Sequence, residues 1–375
     1  MMEFRDLKRQ YVFLKDNLDK ALTQCVASGN YIGGGNVSEL ESQLAEYVGV
    51  RHCVTCANGT DALTITLKVW GIGHGDAVFV PDFTFFSTAE VVAAEGATPV
   101  FVDVDTATFN ISYGDLARKI DAVLKDGKLR PVAVIPVDLF GLPADYPEIR
   151  AIAGRYNLHV LEDGAQGFGG SINGRMACSF GDIATTSFFP AKPLGCYGDG
   201  GAIFTDNDDW AAVASSLKVH GKGSTKYDNV RLGMNSRLDA IQAAVLLVKL
   251  QSFRNHELTA VNKAAEKYTN LLQDIVLTPV IPATYTSSWA QYTIRLNDRK
   301  QRDTIQSRLK ENGIPSMVYY PLGMHSQTAF RGLSSFGPCP NSDNLCDTVL
   351  SLPIHPYITD DEIVTVAAKI KSLLI

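Results

Sequence analysis

The stretch Thr186-Ser187-Phe188-Phe189-Pro190-Ala191-Lys192-Pro193-Leu194-Gly195 runs into Gly198-Asp199-Gly200-Gly201. It holds a single lysine among apolar and small residues, five positions after a serine and just ahead of a glycine-rich turn. A lone lysine is ordinarily a solvated surface charge, but Ser-Phe-Phe-Pro is not a surface flank. A lysine so placed suits an enzyme that uses pyridoxal phosphate (PLP). One amine must form an imine with the cofactor aldehyde. Apolar surroundings lower its pKa, so that the free base serves as nucleophile and proton carrier.

Working outward, His159-Val160-Leu161-Glu162-Asp163-Gly164-Ala165-Gln166 reads as a short buried strand ending in an acid. Open α/β sheets bind ligands at the carboxyl ends of their strands. Asp163 there can pair with the pyridine nitrogen of PLP and keep the ring an electron sink, or it can simply cap the next turn. Together with Lys192, the cofactor role is the stronger reading. Gln166, three residues on, either lies near the cofactor ring hydroxyl or faces solvent.

Cys53-Val54-Thr55-Cys56-Ala57-Asn58-Gly59-Thr60-Asp61-Ala62-Leu63 reads as strand, small loop and helix. Free N–H groups at that helix start make a phosphate seat, and Gly59 lets backbone approach the ligand. Thr60 is equally a natural N-cap. Ser187 is the side-chain partner for the same phosphate. In Phe83-Thr84-Phe85-Phe86 an aromatic face can stack on the PLP ring; core packing is the alternative and accounts for two of the three phenylalanines.

Short apolar runs at 77–81, 99–103, 132–136 and 159–161 alternate with helical stretches such as 87–95 and 147–156. That is the pattern of a mostly parallel sheet covered by helices. No Gly-x-Gly-x-x-Gly opens a helix, which excludes a dinucleotide fingerprint. A long helical stretch, 237–272, leads to a smaller α+β part with a strand at 292–296.

With 375 residues and 46% hydrophobic content, the chain can bury a large core and a smaller one. The net charge of −6 carries no nucleic-acid footprint, and no segment reads as a signal peptide or membrane span. Seven cysteines without an export signal point to the cytoplasm. Cys53 and Cys56 form one C-x-x-C with no second pair, so they read as buried packing and no metal site is expected.

The three segments, in this order and spacing, resemble the DegT/StrS family of PLP-dependent sugar aminotransferases. The likeness extends through Gly233-Met234-Asn235-Ser236-Arg237-Leu238-Asp239 and Tyr320-Pro321-Leu322. The opening Glu3-Phe4-Arg5-Asp6-Leu7-Lys8 and the run Gly195–Phe204 look like the bacterial members that aminate UDP-3-keto-N-acetylglucosaminuronic acid. The resemblance implies a type I PLP aminotransferase fold. A large domain, 1–250, would carry a mostly parallel seven-stranded sheet; a smaller α+β domain would span 251–375. It implies Lys192 and Asp163 as catalytic residues, with Gly59, Thr60, Asp61, Phe85, Gln166, Ser187 and Asn235 also at the cofactor. Asn235 would reach the phosphate of the partner subunit, making a homodimer with shared sites. Gly29, Tyr31, Arg237, Tyr319 and Tyr320 would contact substrate. Tyr319 stands where the enzymes compared tend to carry His, which puts the sugar in question. The reaction implied is amino transfer from L-glutamate, released as 2-oxoglutarate, to a UDP-linked or similar keto sugar nucleotide at C3 or C4. It would serve surface polysaccharide or glycoconjugate assembly. A sugar dehydratase of the same fold would carry His in place of Lys192, and a non-catalytic regulatory member would lose the lysine or the acid.

Overall fold

A computed structural model of the chain describes residues 2–225, 227–333 and 335–374. Met1 and Ile375, the outer ends of the two domains expected above, lie outside the described residues. The strands are β1 (His52–Cys56), β2 (Asp76–Pro81), β3 (Thr98–Val102), β4 (Arg130–Val134) and β5 (His159–Asp163). The short β6 (Ser171–Ile172) and β7 (Arg175–Met176) follow, then β8 (Ile183–Ser187) and β9 (Gly201–Thr205), and finally β10 (Tyr285–Thr286), β11 (Tyr292–Arg295) and β12 (Val349–Leu352). Helices α1 (Leu7–Ser28) and α2 (Gly35–Val48) precede the central sheet. Between its strands lie α3 (Gly59–Val69), α4 (Ser87–Ala94), α5 (Tyr113–Asp126) and α6 (Tyr146–Tyr156), and α7 (Asp208–Leu217) follows β9. The rest of the chain adds α8 (Ala240–Ser252), α9 (Leu258–Leu272), α10 (Arg299–Glu311), α11 (Pro340–Thr348) and α12 (Asp360–Leu374).

The central sheet has seven strands in the order β1-β9-β8-β5-β4-β2-β3. Pairs β2–β3, β2–β4, β4–β5 and β5–β8 are parallel, and β9 alone runs against both neighbours, as the mostly parallel sheet requires. Both faces are covered, which is why the strands read as unbroken apolar runs. In β2, Val78 and Val80 pack toward α3, α4 and α7, while Ala77 and Phe79 pack toward α5 and α6. Under β1 and β9, α2 and α8 close the second face through Leu40, Leu44, Ala243 and Leu246.

The helix expected from Arg237 starts three residues later, at Ala240. Asp239 is extended (φ −69°, ψ 145°), and the Ala240 N–H donates to Tyr31 O at 2.8 Å, so this segment pairs with the N-terminal loop instead of winding. From Ala240 the chain stays helical to Leu272, passing through one π-type turn, Phe253–Glu257. Position 250 lies within α8. Beyond it, β11 and β12 pair antiparallel, and Tyr268, Tyr292, Leu309, Leu350 and Ile370 form a separate core with α9, α10 and α12. Among the described residues no helix is long and apolar enough to cross a membrane.

Candidate active site

β1, β2, β5 and β8 all deliver chemistry at their carboxyl ends, where a parallel sheet leaves a crevice. After β1 comes the start of α3. Its N-cap is Asn58, whose side chain accepts from Asp61 N at 2.8 Å, and not Thr60 as one of the two sequence readings had it. The cap consumes the Asp61 donor. Among the described residues, the N–H groups of Gly59 and Thr60 have no acceptor, and both point out of a helix start that favours an anion. The Thr60 hydroxyl instead meets Ser87 Oγ at 3.0 Å. A Cβ on Gly59 would come within 2.8 Å of Ser187 Cβ, so the loop after β1 and the end of β8 touch only because residue 59 is glycine. Ser187 thus stands at the same helix start.

Asp163 ends β5 and is 5% exposed. Thr88 Oγ1 donates to Asp163 Oδ2 at 2.9 Å, and the Ala165 N–H donates to Oδ1 at 3.2 Å. Turn capping and a cofactor role are compatible, because each carboxylate oxygen accepts one bond here and has a second lone pair left. Burial pushes the Asp163 carboxyl above the usual range, and Thr88, Ala165 and Lys192 pull it back. Lys192 is partly buried, and desolvation brings its ammonium below the ordinary lysine range. Asp163 opposes that shift and the Arg5 guanidinium adds to it. An acid and an amine thus act on each other electrostatically, each driven toward its neutral form by desolvation and held back by the other.

Gln166 is 4% exposed and does not face solvent. Its Oε1 accepts from Phe140 N at 2.7 Å and its Nε2 donates to Tyr320 OH at 3.1 Å. Burial raises the Tyr320 phenol above its usual range. Of the aromatic trio, Phe83 is fully buried, Phe86 stacks on Phe330, and Phe85 leaves 54% of its surface open beside Tyr320, ring centres 6.4 Å apart. Tyr319 packs edge-on to Phe4 at 6.2 Å.

Asn235 and Arg237 are exposed, and among the described residues neither side chain makes a hydrogen bond or ion pair. Gly29 closes α1, and Tyr31 binds Val26 O through its hydroxyl at 3.2 Å. Ile32 bridges Asp239, so the Gly29–Tyr31 segment lies against the Arg237 segment. No hydrogen bond or ion pair among the described residues joins this second group to Lys192 or Asp163. Elsewhere, Asp82, His325 and Cys339 offer ligand atoms within 4.8 Å of one another. Both Asp82 oxygens, however, already accept from His325, one from N and one at Nδ1, each at 2.8 Å.

Two residues of this site were given no role by the sequence, although Arg5 lies in the opening segment that resembles the family. Arg5 Nη2 donates to Lys192 O at 2.7 Å across 187 residues, and Thr88 supplies the Asp163 hydrogen bond from α4. Both contacts are tertiary, and no local spacing announces them.

The unspent donors at α3, the glycine cradle at Ser187, the buried acid and the desolvated lysine fit PLP as a set: phosphate, ring nitrogen and aldehyde each meet a matching group. Comparison with known proteins agrees. The chain is 42% identical over 370 residues to the UDP-2-acetamido-2-deoxy-3-oxo-D-glucuronate aminotransferase of Pseudomonas aeruginosa, covering 99% of both chains. It is also 42% identical to a pleiotropic regulatory protein of Geobacillus stearothermophilus, covering 97% of this chain and 96% of that one. A crystal structure of a DegT DnrJ EryC1 StrS aminotransferase from Brucella abortus superposes with a TM-score of 0.97 at 48% identity over 100% of both chains. The model of the DegT/DnrJ/EryC1/StrS aminotransferase family matches residues 13–371, and this chain belongs to that family of PLP-dependent enzymes.

Proposed function

We propose that this protein transfers an amino group from L-glutamate to the keto group of a nucleotide-linked sugar. A UDP-linked 3-keto sugar acid is favoured, after the activity for which the Pseudomonas relative is named. The observation that carries the reading is the Lys192–Asp163 pair beside the unspent N–H groups of Gly59 and Thr60. Bound there, PLP supplies the electron sink for charge left at a carbon that loses its proton. Gly59, Thr60 and Ser187 hold the phosphate, with Asn235 of the partner subunit. Asp163 keeps a negative charge against the ring nitrogen, helped by Thr88. Gln166 would meet the ring hydroxyl and Phe85 would cover the ring. Lys192 would anchor the group at rest and, once freed, would carry a proton from the donor α-carbon to the cofactor carbon that bore the aldehyde. Arg5 sets the position of Lys192 through its carbonyl.

The segment with Asn235 also exposes Val230 and Leu232, at 55% and 96%, which is apolar surface suited to a second copy of this chain. We take the enzyme to be a homodimer with shared sites, Tyr31, Arg237, Tyr319 and Tyr320 facing the sugar nucleotide. We place it in the cytoplasm, since all seven cysteines are free, and in surface polysaccharide or glycoconjugate assembly. The regulatory name of the Geobacillus relative invites a second, non-catalytic reading. The retained Lys192 and Asp163 favour catalysis.

The test supplies PLP-loaded protein with glutamate and either a UDP-linked or a dTDP-linked 3-keto sugar, and follows both products by mass spectrometry. An amino sugar with matching 2-oxoglutarate is expected. Glutamate turnover without an amino sugar would overturn the sugar class. No turnover of either would leave the regulatory reading standing, and loss of a sugar hydroxyl would mean a dehydratase.

A further inference from the structure

Directly behind the Asp163 turn lie two carboxyl groups that this mechanism does not use. Asp138 is fully buried, at 0% exposure. Its Oδ1 accepts from Ala144 N at 3.0 Å and from Tyr146 OH at 2.8 Å. Its Oδ2 is buried and has no donor among the described residues. Glu162, also at 0%, has the opposite situation: the N–H groups of Cys178, Phe180 and Gly181 all donate to it, the last two to Oε2 at 2.6 and 3.0 Å. The ionisable groups facing Asp138 are Glu162 on β5, Tyr146 on α6, Cys178 after β7 and, farther off, Tyr285 on β10. None of these is a cation.

Two adjacent buried carboxylates without a cation cannot both stay ionised. Burial raises the Glu162 carboxyl too, to about 7, but its three backbone donors and Asp138 pull it back, so Glu162 is the one of the two equipped to carry charge at pH 7.5. The orphaned Oδ2 of Asp138 is where a proton is missing from the count. Burial and the Glu162 charge both raise the Asp138 carboxyl far above its usual range.

We propose that Asp138 is held as a neutral carboxylic acid whose proton bridges Oδ2 to Glu162, and that it is a positioning residue for the turn carrying Asp163 and Gln166. The turn is folded onto this group. Asp138 N donates to Asp163 O at 3.1 Å, and a Cβ on Gly167 would fall within 2.3 Å of Asp138 Oδ2. Phe140, two residues after Asp138, holds Gln166 through its N–H. With the proton in place, one negative charge lies behind Asp163. Without it there are two, and like-charge repulsion would push Asp163 toward protonation, removing its charge from the ring nitrogen. The role toward Asp163 rests on the reading of that residue proposed above; the shared proton itself does not.

Infrared spectroscopy of the PLP-loaded protein at pH 7.5 tests the proton directly. A protonated-carboxyl C=O band is expected in the parent, persisting in Asp163→Asn and vanishing in Asp138→Asn. The Asn amide keeps both accepted bonds and donates to Glu162 in the proton's place. A second readout is thermal. The folded chain keeps this proton to higher pH than the unfolded chain, so its contribution to stability is full at low pH and declines as pH rises above the ordinary carboxyl range. The Tm of Asp138→Asn should therefore gain on that of the parent between pH 4 and 8, on the order of the ordinary Asp pKa upward. In activity, Asp138→Ala should lose turnover and Asp138→Asn restore it, with the alkaline limb of kcat moved upward. No band in the parent, a band that survives Asp138→Asn, or a Tm difference that moves the other way would overturn the proposal. So would failure of Asp138→Asn to fold, since that would mean an ionised Asp138. The infrared and thermal outcomes stand whether or not the sugar assay succeeds.

Discussion

Lys192 is tuned by two opposed neighbours and by its own burial. Desolvation lowers its pKa most, Asp163 raises it and Arg5 lowers it further. Their removal should move the lysine in opposite directions. In cofactor-free protein, the pH midpoint for amine-selective labelling of Lys192, read by peptide mass spectrometry, should rise in Arg5→Gln. It should fall in Asp163→Asn. Shifts of the same sign would mean that Arg5 acts on Lys192 only through shape. In the loaded enzyme, Asp163→Asn should also slow transamination by at least about 10²-fold, the scale of one positioned electrostatic partner. Activity within a few-fold of the parent would reduce Asp163 to its turn-capping role through Ala165.

At the scale of elements, the start of α3 separates two jobs that the sequence leaves merged in Thr60. Asn58 caps the helix. Asn58→Ala should cost about 1 kcal/mol, seen as a lowered Tm. Thr60→Val leaves that cap and the Thr60 N–H in place and removes only the hydroxyl contact to Ser87, so it should bind PLP within a few-fold of the parent and lower Tm less than Asn58→Ala does. Gly59→Ala forces a Cβ against Ser187 at 2.8 Å, an overpacking cost of about 1–3 kcal/mol. It should also pry the loop from β8 and raise the Kd for PLP in spectral titration. If Gly59→Ala bound PLP like the parent, the Gly59–Ser187 contact would be packing only. The sheet itself was legible because strands buried on both faces must read as apolar runs, and β2 and β5 do. The start of α8 was not: the helical pattern runs back to Arg237, but the bond from Ala240 N to Tyr31 O holds the preceding residues extended.

For the whole molecule, Tyr31, Asn235 and Arg237 lie on two paired segments with no hydrogen bond to Lys192 or Asp163 among the described residues, although Ser236 ties them to the loop before Gly59 through Ala57 N at 3.0 Å. If these segments serve the neighbouring subunit, a lysine-dead chain and an asparagine-dead chain should complement. A mixed dimer of Lys192→Ala with Asn235→Ala would collect both defects in one site and leave the other intact, because C₂ symmetry pairs each lysine with the opposite loop. Activity should reappear after the two are dissociated and reassociated together. Mixed dimers that form and stay dead, with Asn235→Ala shown to be impaired, would mean that each chain builds its site alone.

The sequence by itself determined the sheet, and it singled out the lysine, the acid and the glycine that the structure brings to the ends of its strands. Each of these depends on residue type at short range: apolar runs for strands buried on both faces, a missing Cβ where two loops touch, an amine in an apolar flank. Only the tertiary structure decided that Arg5 and Thr88 belong to the site, that Asn58 and not Thr60 caps α3, and that Asp138 lies against Glu162. Those facts depend on which distant surfaces meet once the sheet is packed. A hydrogen bond spanning 187 residues, such as that from Arg5 to Lys192, leaves no periodicity to read.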